Sequence, residues 1–505
     1  KSSQHNTRPA SSSVHYKWAK KIAIIGGGVS GLACAQRLAA ESESSIDSIV
    51  VFDTGNRTCG GRISSRMDKQ SGYEFDHAAQ YFSVKDNKTE FAEYCREATK
   101  RGELYAIDDL SRYGILMREE DKQQHYVFRR FEDELVRYAS KDGFRAFIKH
   151  LEESVLDVAS DRKNRIERPQ WVGSMQKTNS NTWLLANTQD RSRKNYRELG
   201  EYDFVVIAHN GKCAFNLMKT AVNNNAEKKN ESPKILSALK ASFGIKTREA
   251  LYKKRELVLS SIWSANVAIG NLDEDTMQKL DAFDGAHVIE NESLAYIGNN
   301  TLKKKKKDEM NSIREITLLS TPVYGKRNKC PQEAIPAAFA DKVQLDLVTE
   351  LEKTLGIAPN VISNNVVFSK MQLWGAANGL TVANNEYLFD ANASVGVCGD
   401  WLTTDDQSPS VETAMRSGWR LAEALLHEST ENHLQVNWKP VQNASALGLT
   451  VPGADLPDPP PEEADDAKNA AGKKTSRNTQ QRRKRARKPP VTATTTMFAR
   501  ASIRV

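Results

Sequence analysis

Lys21-Ile22-Ala23-Ile24-Ile25 is an apolar run of strand length that breaks straight into Gly26-Gly27-Gly28-Val29-Ser30-Gly31, and a helical stretch from Leu32 to Ala40 follows. A strand, a glycine turn and a helix start in that order make a phosphate cradle. Gly26 permits the tight turn, Gly28 lets backbone N–H groups approach a pyrophosphate, and Gly31 lets helix and strand pack closely, so the positive end of the helix dipole meets phosphate. A second strand, Ser48 to Phe52, ends on Asp53, a carboxylate placed to hold ribose hydroxyls. The chemistry expected here is dinucleotide binding by a βαβ unit.

Two further segments narrow the choice of dinucleotide. Cys59-Gly60-Gly61-Arg62-Ile63-Ser64-Ser65-Arg66 follows Asp53 and offers glycines, Gly61 among them, with Arg62 able to clamp the far side of a pyrophosphate. Simple nicotinamide dehydrogenases do not usually carry such a clamp there. Far downstream, the apolar run Val395 to Val397 leads into Cys398-Gly399-Asp400-Trp401, then Ser408-Pro409-Ser410-Val411-Glu412-Thr413-Ala414 and an amphipathic helix through Leu425. Ser408 is the expected cap, and Pro409 suits a first helical turn. After Gly399, the Asp400 carboxylate can bond a ribityl hydroxyl. The open N–H groups of Val411, Glu412 and Thr413 can face the N1/C2 edge of an isoalloxazine, which is negative when reduced. Helix-end stabilisation of that kind is worth about 0.3–2 kcal/mol and favours hydride acceptance. The competing reading is a well-capped surface helix.

The elements that must position these residues belong to a chain of 505 residues with 39% apolar content, enough for two or three domains. Its 72 basic and 64 acidic residues give +8, but the excess sits in local runs, which is poor evidence for nucleic-acid binding. No run approaches transmembrane length. Cys34, Cys59, Cys95, Cys213, Cys330 and Cys398 are scattered, which argues against structural zinc and a disulfide framework and favours a reducing compartment. No metal site is expected. The stretch up to Lys20 has serines and basic residues without acids, as in a transit-peptide remnant or a flexible tail.

Tyr73 to Ser83 mixes aromatic and polar residues, suited either to one face of a flat ring or to a core. Lys88 to Lys100 and Asp142 to Leu151 read as helices, Tyr126 to Phe128 and Thr182 to Leu185 as strands, and Tyr202 to Ala208 as a buried parallel strand. From Cys213 to Asn385 a second domain is expected, with strands at Glu256 to Ile262, Ser293 to Ile297 and Ile316 to Ser320 and helices at Ile235 to Ser242 and Ala340 to Leu355. The lysine run Lys303 to Lys307 is expected to be a solvated loop rather than an anion site, because like charges repel. Beyond Thr430, a proline- and acid-rich stretch, Pro457 to Asp466, precedes the basic run Gln481 to Pro490. Disorder is expected there, with a nuclear signal, a tether to RNA, membrane or an acidic partner, or no role at all as the readings.

Gly60-Gly61-Arg62 with Ser64, Asp76-His77-Ala78-Ala79-Gln80-Tyr81-Phe82, and Gly399-Asp400-Trp401 leading to Val411-Glu412-Thr413-Ala414 with Ser417-Gly418 together resemble the renalase-like branch of FAD-dependent amine-oxidase-fold proteins. Ala208 to Cys213, Tyr324 to Lys329 and Leu373 to Ala377 resemble its plant and algal version. The resemblance runs from Lys21 to Leu425. It departs at Ala78 and Thr413, where the family commonly has glycine and where a larger side chain can narrow the space near the cofactor.

The resemblance implies an α/β fold of amine oxidase/p-hydroxybenzoate hydroxylase type. A doubly wound, Rossmann-like FAD domain built from both chain ends (21–85, 142–212 and 386–427) carries a mixed β-sheet and helix substrate domain (86–141 and 213–385), with segments 1–20 and 430–505 flexible or disordered. It also implies hydride transfer from a small organic donor to flavin N5 and reoxidation by oxygen to hydrogen peroxide, with the flavin carrying the chemistry. Donors resembling dihydronicotinamide dinucleotide isomers already hold a transferable hydride, which agrees with the lack of an evident catalytic dyad. Gln80 is expected at both cofactor and substrate, with Tyr81 and Trp374 on the substrate face; packing is the competing role for each. His77 is expected to be a structural hydrogen-bonder. Nothing in the sequence activates Cys398, so FAD is expected to be noncovalent. The alternatives are an amine oxidase or desaturase on the same fold, or a non-catalytic flavin-fold interaction protein. A plastid location is suggested by the resemblance, with cytoplasm and nucleus open.

Overall fold

Strands rich in Val and Ile, buried on both faces, form where helices can cover a parallel sheet from either side. Lys21–Ile25, Ser48–Phe52 and Phe204–Ile207 are such runs, and Ile24, Val50, Val51, Val205 and Val206 are all fully buried. They are central strands of a six-stranded sheet in a computed structural model that describes residues 20–41, 46–119, 122–156, 163–223, 235–243, 254–304, 312–404, 408–427 and 433–441. The order is Arg165–Glu167, Ser48–Phe52, Lys21–Ile25, Phe204–Ile207, Val395–Val397, Leu388–Asp390; the first five are parallel and the last antiparallel. The expectations for the first 19 residues, for Lys305 to Lys307 and for the tail beyond 441 lie outside the described residues, but the disorder expected from 430 does not hold for 433–441, where Trp438–Pro440 pairs with Thr381–Ala383 and Trp438 stacks on Trp401.

Lys21–Ile25 pairs with Ser48–Phe52 on one side and with the much later Phe204–Ile207 on the other. Strand order reverses there, so a crevice opens beyond its carboxyl end, at the glycine turn. Helix Val29–Ala40 covers one sheet face together with Val411–Leu426, and Trp183, Met175, Leu217 and Met218 pack on the other. The two helices cross closely at Gly418, where a Cβ would lie 2.2 Å from the Ser30 carbonyl oxygen. Residues from near the start and near the end of the described chain thereby share one core.

A second, seven-stranded mixed sheet caps the crevice in the order Val366–Trp374, Ile262–Ile269, Arg314–Ser320, Leu294–Asn299, Gly285–Val288, Tyr113–Glu119, Lys122–Arg130. Its pairings are antiparallel except that between Gly285–Val288 and Tyr113–Glu119. Two expectations differ here. The strand expected from Glu256 to Ile262 covers Leu257–Leu259 and then breaks, because the Ser260 and Ser261 hydroxyls turn to the Asn378 and Gly375 carbonyls; a new strand begins at Ile262. The helix expected from Ile235 to Ser242 is a single turn, Ile235–Ala238. Ala241–Phe243 pairs in parallel with Leu257–Leu259 instead, so sheet pairing wins over helix propensity.

Candidate dinucleotide and substrate cavity

A cavity of about 1700 Å³ lies between the strand ends and the cap sheet. Single small-ligand pockets run to about 1,000 Å³, so there is room for a dinucleotide and a second ligand. Residues far apart in sequence meet on its wall: Gly26, Gly28 and Asp53 from the first βαβ unit, Gly61 and Arg62 from the clamp, and Gly399, Asp400, Val411 and Glu412 from the far end.

The phosphate end is built by the glycine turn. Gly26 has φ +115°, open only to glycine at low cost, and Gly60 N–H donates to the Gly27 carbonyl at 2.7 Å, drawing the clamp segment onto the turn. Helix Val29–Ala40 starts at Gly28 with no side-chain cap, so its first N–H groups stay available for an anion. A Cβ on Gly28 would meet nothing within 4 Å, since it would project into open space. Gly31 is not on the wall; it serves packing, because its Cβ would lie 2.0 Å from the Gly26 carbonyl oxygen. Asp53 accepts from Gly27 N–H at 2.9 Å and Gly55 N–H at 2.7 Å. Burial pushes its carboxyl up in pKa against the pull of those two amides.

Arg62 and Asp400 were expected to reach separate parts of the cofactor, and the structure pairs them with each other. The guanidinium makes a bidentate bridge to the Asp400 carboxylate at 2.8 and 2.9 Å and donates to Asn378 Oδ1 at 2.8 Å. The pair fixes the clamp against the far end of the chain while both side chains still line the cavity.

At the start of Val411–Leu426 the expected cap is corrected. Ser410, not Ser408, is the N-cap, in a capping box in which its Oγ accepts from Thr413 N–H while Thr413 Oγ1 accepts from Ser410 N–H. The Thr413 amide is thus consumed, its hydroxyl also donates to the Asp400 carbonyl, and the residue lies off the cavity wall. Only Val411 and Glu412 present open first-turn amides to the cavity. Of the two departures from the family pattern, Ala78 alone is on the wall. Glu412 Oε2 accepts from Lys85 N–H at 3.4 Å, and burial raises its pKa.

The expectation for Lys303 is overturned. It is in helix Asn300–Lys304 with its side chain 2% exposed, and its Nζ lies 2.8 Å from Asp76 Oδ2 and 3.0 Å from Gln80 Oε1. A buried, hydrogen-bonded acid removes the reason for solvation that the lysine run suggested. Gln80 Nε2 also donates to the Asp76 carbonyl, so the Gln80 amide is held at both ends on the cavity wall.

Beside Gln80 the wall is ring-lined. Tyr81 Oη lies 2.9 Å from His287 Nε2, and Tyr81 packs edge-on against Tyr113 and Phe131. Trp374 lines the cavity and stacks on His77 at 5.2 Å between ring centroids. His77 is off the wall, and burial, then Arg66, holds its pKa at about 3, so it stays neutral. Arg137, whose side chain is 4% exposed, pairs with Asp133 and lies over Phe131. Sequence reasoning missed Lys303, Arg137, His287, Asn378 and Trp171. Only the exposed tryptophan carries a local signal, an aromatic two residues after Pro169.

Burial and then Arg137 hold His287 at a pKa of about 4, against about 6.5 in an unfolded chain. As pH falls from about 6.5 toward 4, the unfolded chain takes up a proton that the fold does not, so stability falls through that window. The expected result, read by urea unfolding at pH 7 and pH 4.5, is a smaller acid loss for His287→Gln than for wild type. An equal loss in both contradicts it.

The family described as NAD(P)-binding Rossmann-like domain matches residues 24–98. No curated protein sequence matches the chain. Among solved structures, putrescine oxidase with bound putrescine matches at 10% identity and TM-score 0.47, covering 81% of this chain and 99% of that one. Cyclohexylamine oxidase from Brevibacterium oxydans IH-35A matches at 12% and 0.48, covering 82% and 100%. Reduced UDP-galactopyranose mutase matches at 12% and 0.51, covering 86% and 99%. At such identities the mutase likeness is one of fold, and with the family match it establishes an α/β chain with a Rossmann-like NAD(P)-binding domain and mixed sheets.

Proposed function

We propose that the chain is an FAD-dependent oxidoreductase that takes a hydride from a small organic donor, with oxygen as the final acceptor. One observation carries this reading: two helix starts with open amides, at Gly28 and at Val411, face a single cavity with the volume for a dinucleotide. When bound, FAD supplies hydride acceptance at its N5 and reoxidation by dioxygen.

The chain's residues bind and orient. The amides after Gly28 take the pyrophosphate, Asp53 the ribose, and Arg62 with Asp400 braces the middle. The amides of Val411 and Glu412 favour negative charge at the ring end. Noncovalent binding is supported at Cys398, which is fully buried off the wall, with its thiol pushed by burial to about 12. Tyr81, Trp374 and the held Gln80 amide shape the donor face. No charged histidine stands there, since His287 is neutral, and this suits a donor that needs no strong base, such as a dihydronicotinamide dinucleotide isomer.

The rings of Tyr81, Phe131, His287, Tyr296 and Trp374 favour a second reading, an amine oxidase with an apolar, ring-lined chamber. Anaerobic stopped-flow titration separates the two. Rapid bleaching of the flavin band by dihydronicotinamide isomers, with none by amines, is the expected result; bleaching by amines alone assigns the second reading. A flavin band that no donor bleaches leaves the fold as a scaffold for interaction.

A further inference from the structure

Trp171 is 58% exposed, the most exposed large apolar side chain among the described residues. Single exposed apolar residues are ordinary, but this one is part of the cavity wall, as are Phe52, Asp53 and Thr54. Its neighbours turn inward, with Gln170 and Val172 both buried. The segment is braced on either side of the indole: Gln170 N–H donates to the Asp53 carbonyl at 2.7 Å, Asp53 N–H donates to the Glu167 carbonyl at 3.0 Å, and Gly173 N–H donates to the Ala186 carbonyl at 2.9 Å. Gln170 Nε2 in turn donates to the Trp171 carbonyl at 2.7 Å. The fold thus holds a broad aromatic face on the cavity wall, tied through Gln170 to the backbone of Asp53, the residue that follows the second strand.

We propose that Trp171 is the stacking platform for the adenine ring of the bound dinucleotide. This rests on the FAD reading above and adds to it a residue and a selectivity. An acid at the end of the second strand of a βαβ unit holds the adenosine ribose, so the next group outward from Asp53 is the base. A purine presents a flat π-face, and stacking on an aromatic side chain covers indole surface that otherwise faces water. Because the platform touches only the adenosine end, it makes the site prefer FAD over FMN.

The test uses the full chain stripped of flavin, with FAD, ADP and FMN each titrated into wild type, Trp171→Ala and Trp171→Phe by calorimetry. Alanine is expected to weaken FAD and ADP about tenfold or more, phenylalanine to restore most of the loss, and FMN to bind all three proteins alike. Unchanged FAD and ADP affinity in Trp171→Ala overturns the stacking role while leaving the FAD reading intact. Equal weakening of FMN overturns it too, because the loss is then a general one. Wild type that binds neither FAD nor ADP overturns both readings.

Discussion

Lys303→Ala is expected to destabilise the protein by about 3–5 kcal/mol, read as a lowered midpoint of urea unfolding. The Nζ of Lys303 sits 2.8 Å from Asp76 Oδ2, with side-chain exposures of 2% and 1%. Removing one member of a buried pair leaves the other charge without water and without a partner, the costly case for ion pairs. Among the described residues the Asp76 carboxylate then keeps the Ser65 hydroxyl as its hydrogen-bond donor, and Gln80 Oε1 loses the Lys303 ammonium. Replacing both members, as in Lys303→Met with Asp76→Leu, should recover much of the loss, because no charge is then stranded. A loss under about 1 kcal/mol in the single variant would show that the pair is open to solvent.

Gly31→Ala is expected to cost about 3 kcal/mol, at the upper end of overpacking penalties, and to weaken flavin binding with it. The added methyl would lie 2.0 Å from the Gly26 carbonyl oxygen and 3.0 Å from the Ala208 Cβ. The first obstacle is backbone in the phosphate turn itself, so no side chain can swing away. Helix Val29–Ala40 must lift from the strand, and its uncapped amides move with it. Thermal unfolding and FAD titration of the variant check the two halves. Wild-type values in both would mean that the turn tolerates a wider spacing.

The central sheet was legible because strands buried on both faces are written as unbroken apolar runs. Lys21–Ile25 and Ser48–Phe52 fall where the pattern puts them. The cap sheet was legible in part: the strands read at Tyr126 to Phe128, Ser293 to Ile297 and Ile316 to Ser320 match strands in it, but its other strands and its register were not. Ile262–Ile269 contains Ser264 and Asn266, which are buried, and the register with Arg314–Ser320 and Val366–Trp374 exists only after folding. In the site, local devices were readable: the glycine turn, the acid after the second strand, and a helix start after Pro409. Pairings over long separations were not. Arg62 meets Asp400 across 338 residues, and Lys303 meets Asp76 across 227, so a lysine inside a charge run gave no sign of burial. Ser408 and Ser410 are both chemically able to cap, and only the Thr413 hydroxyl, answering from the first turn, selects Ser410.

The two helix starts at Gly28 and Val411 are expected to hold one flavin dinucleotide between them. Equilibrium titration of the purified 505-residue chain with FAD, followed at the flavin absorbance band, tests this most directly. A yellow protein that holds stoichiometric FAD, released intact on denaturation, is the predicted result. A colourless protein that fails to take up added FAD would contradict it.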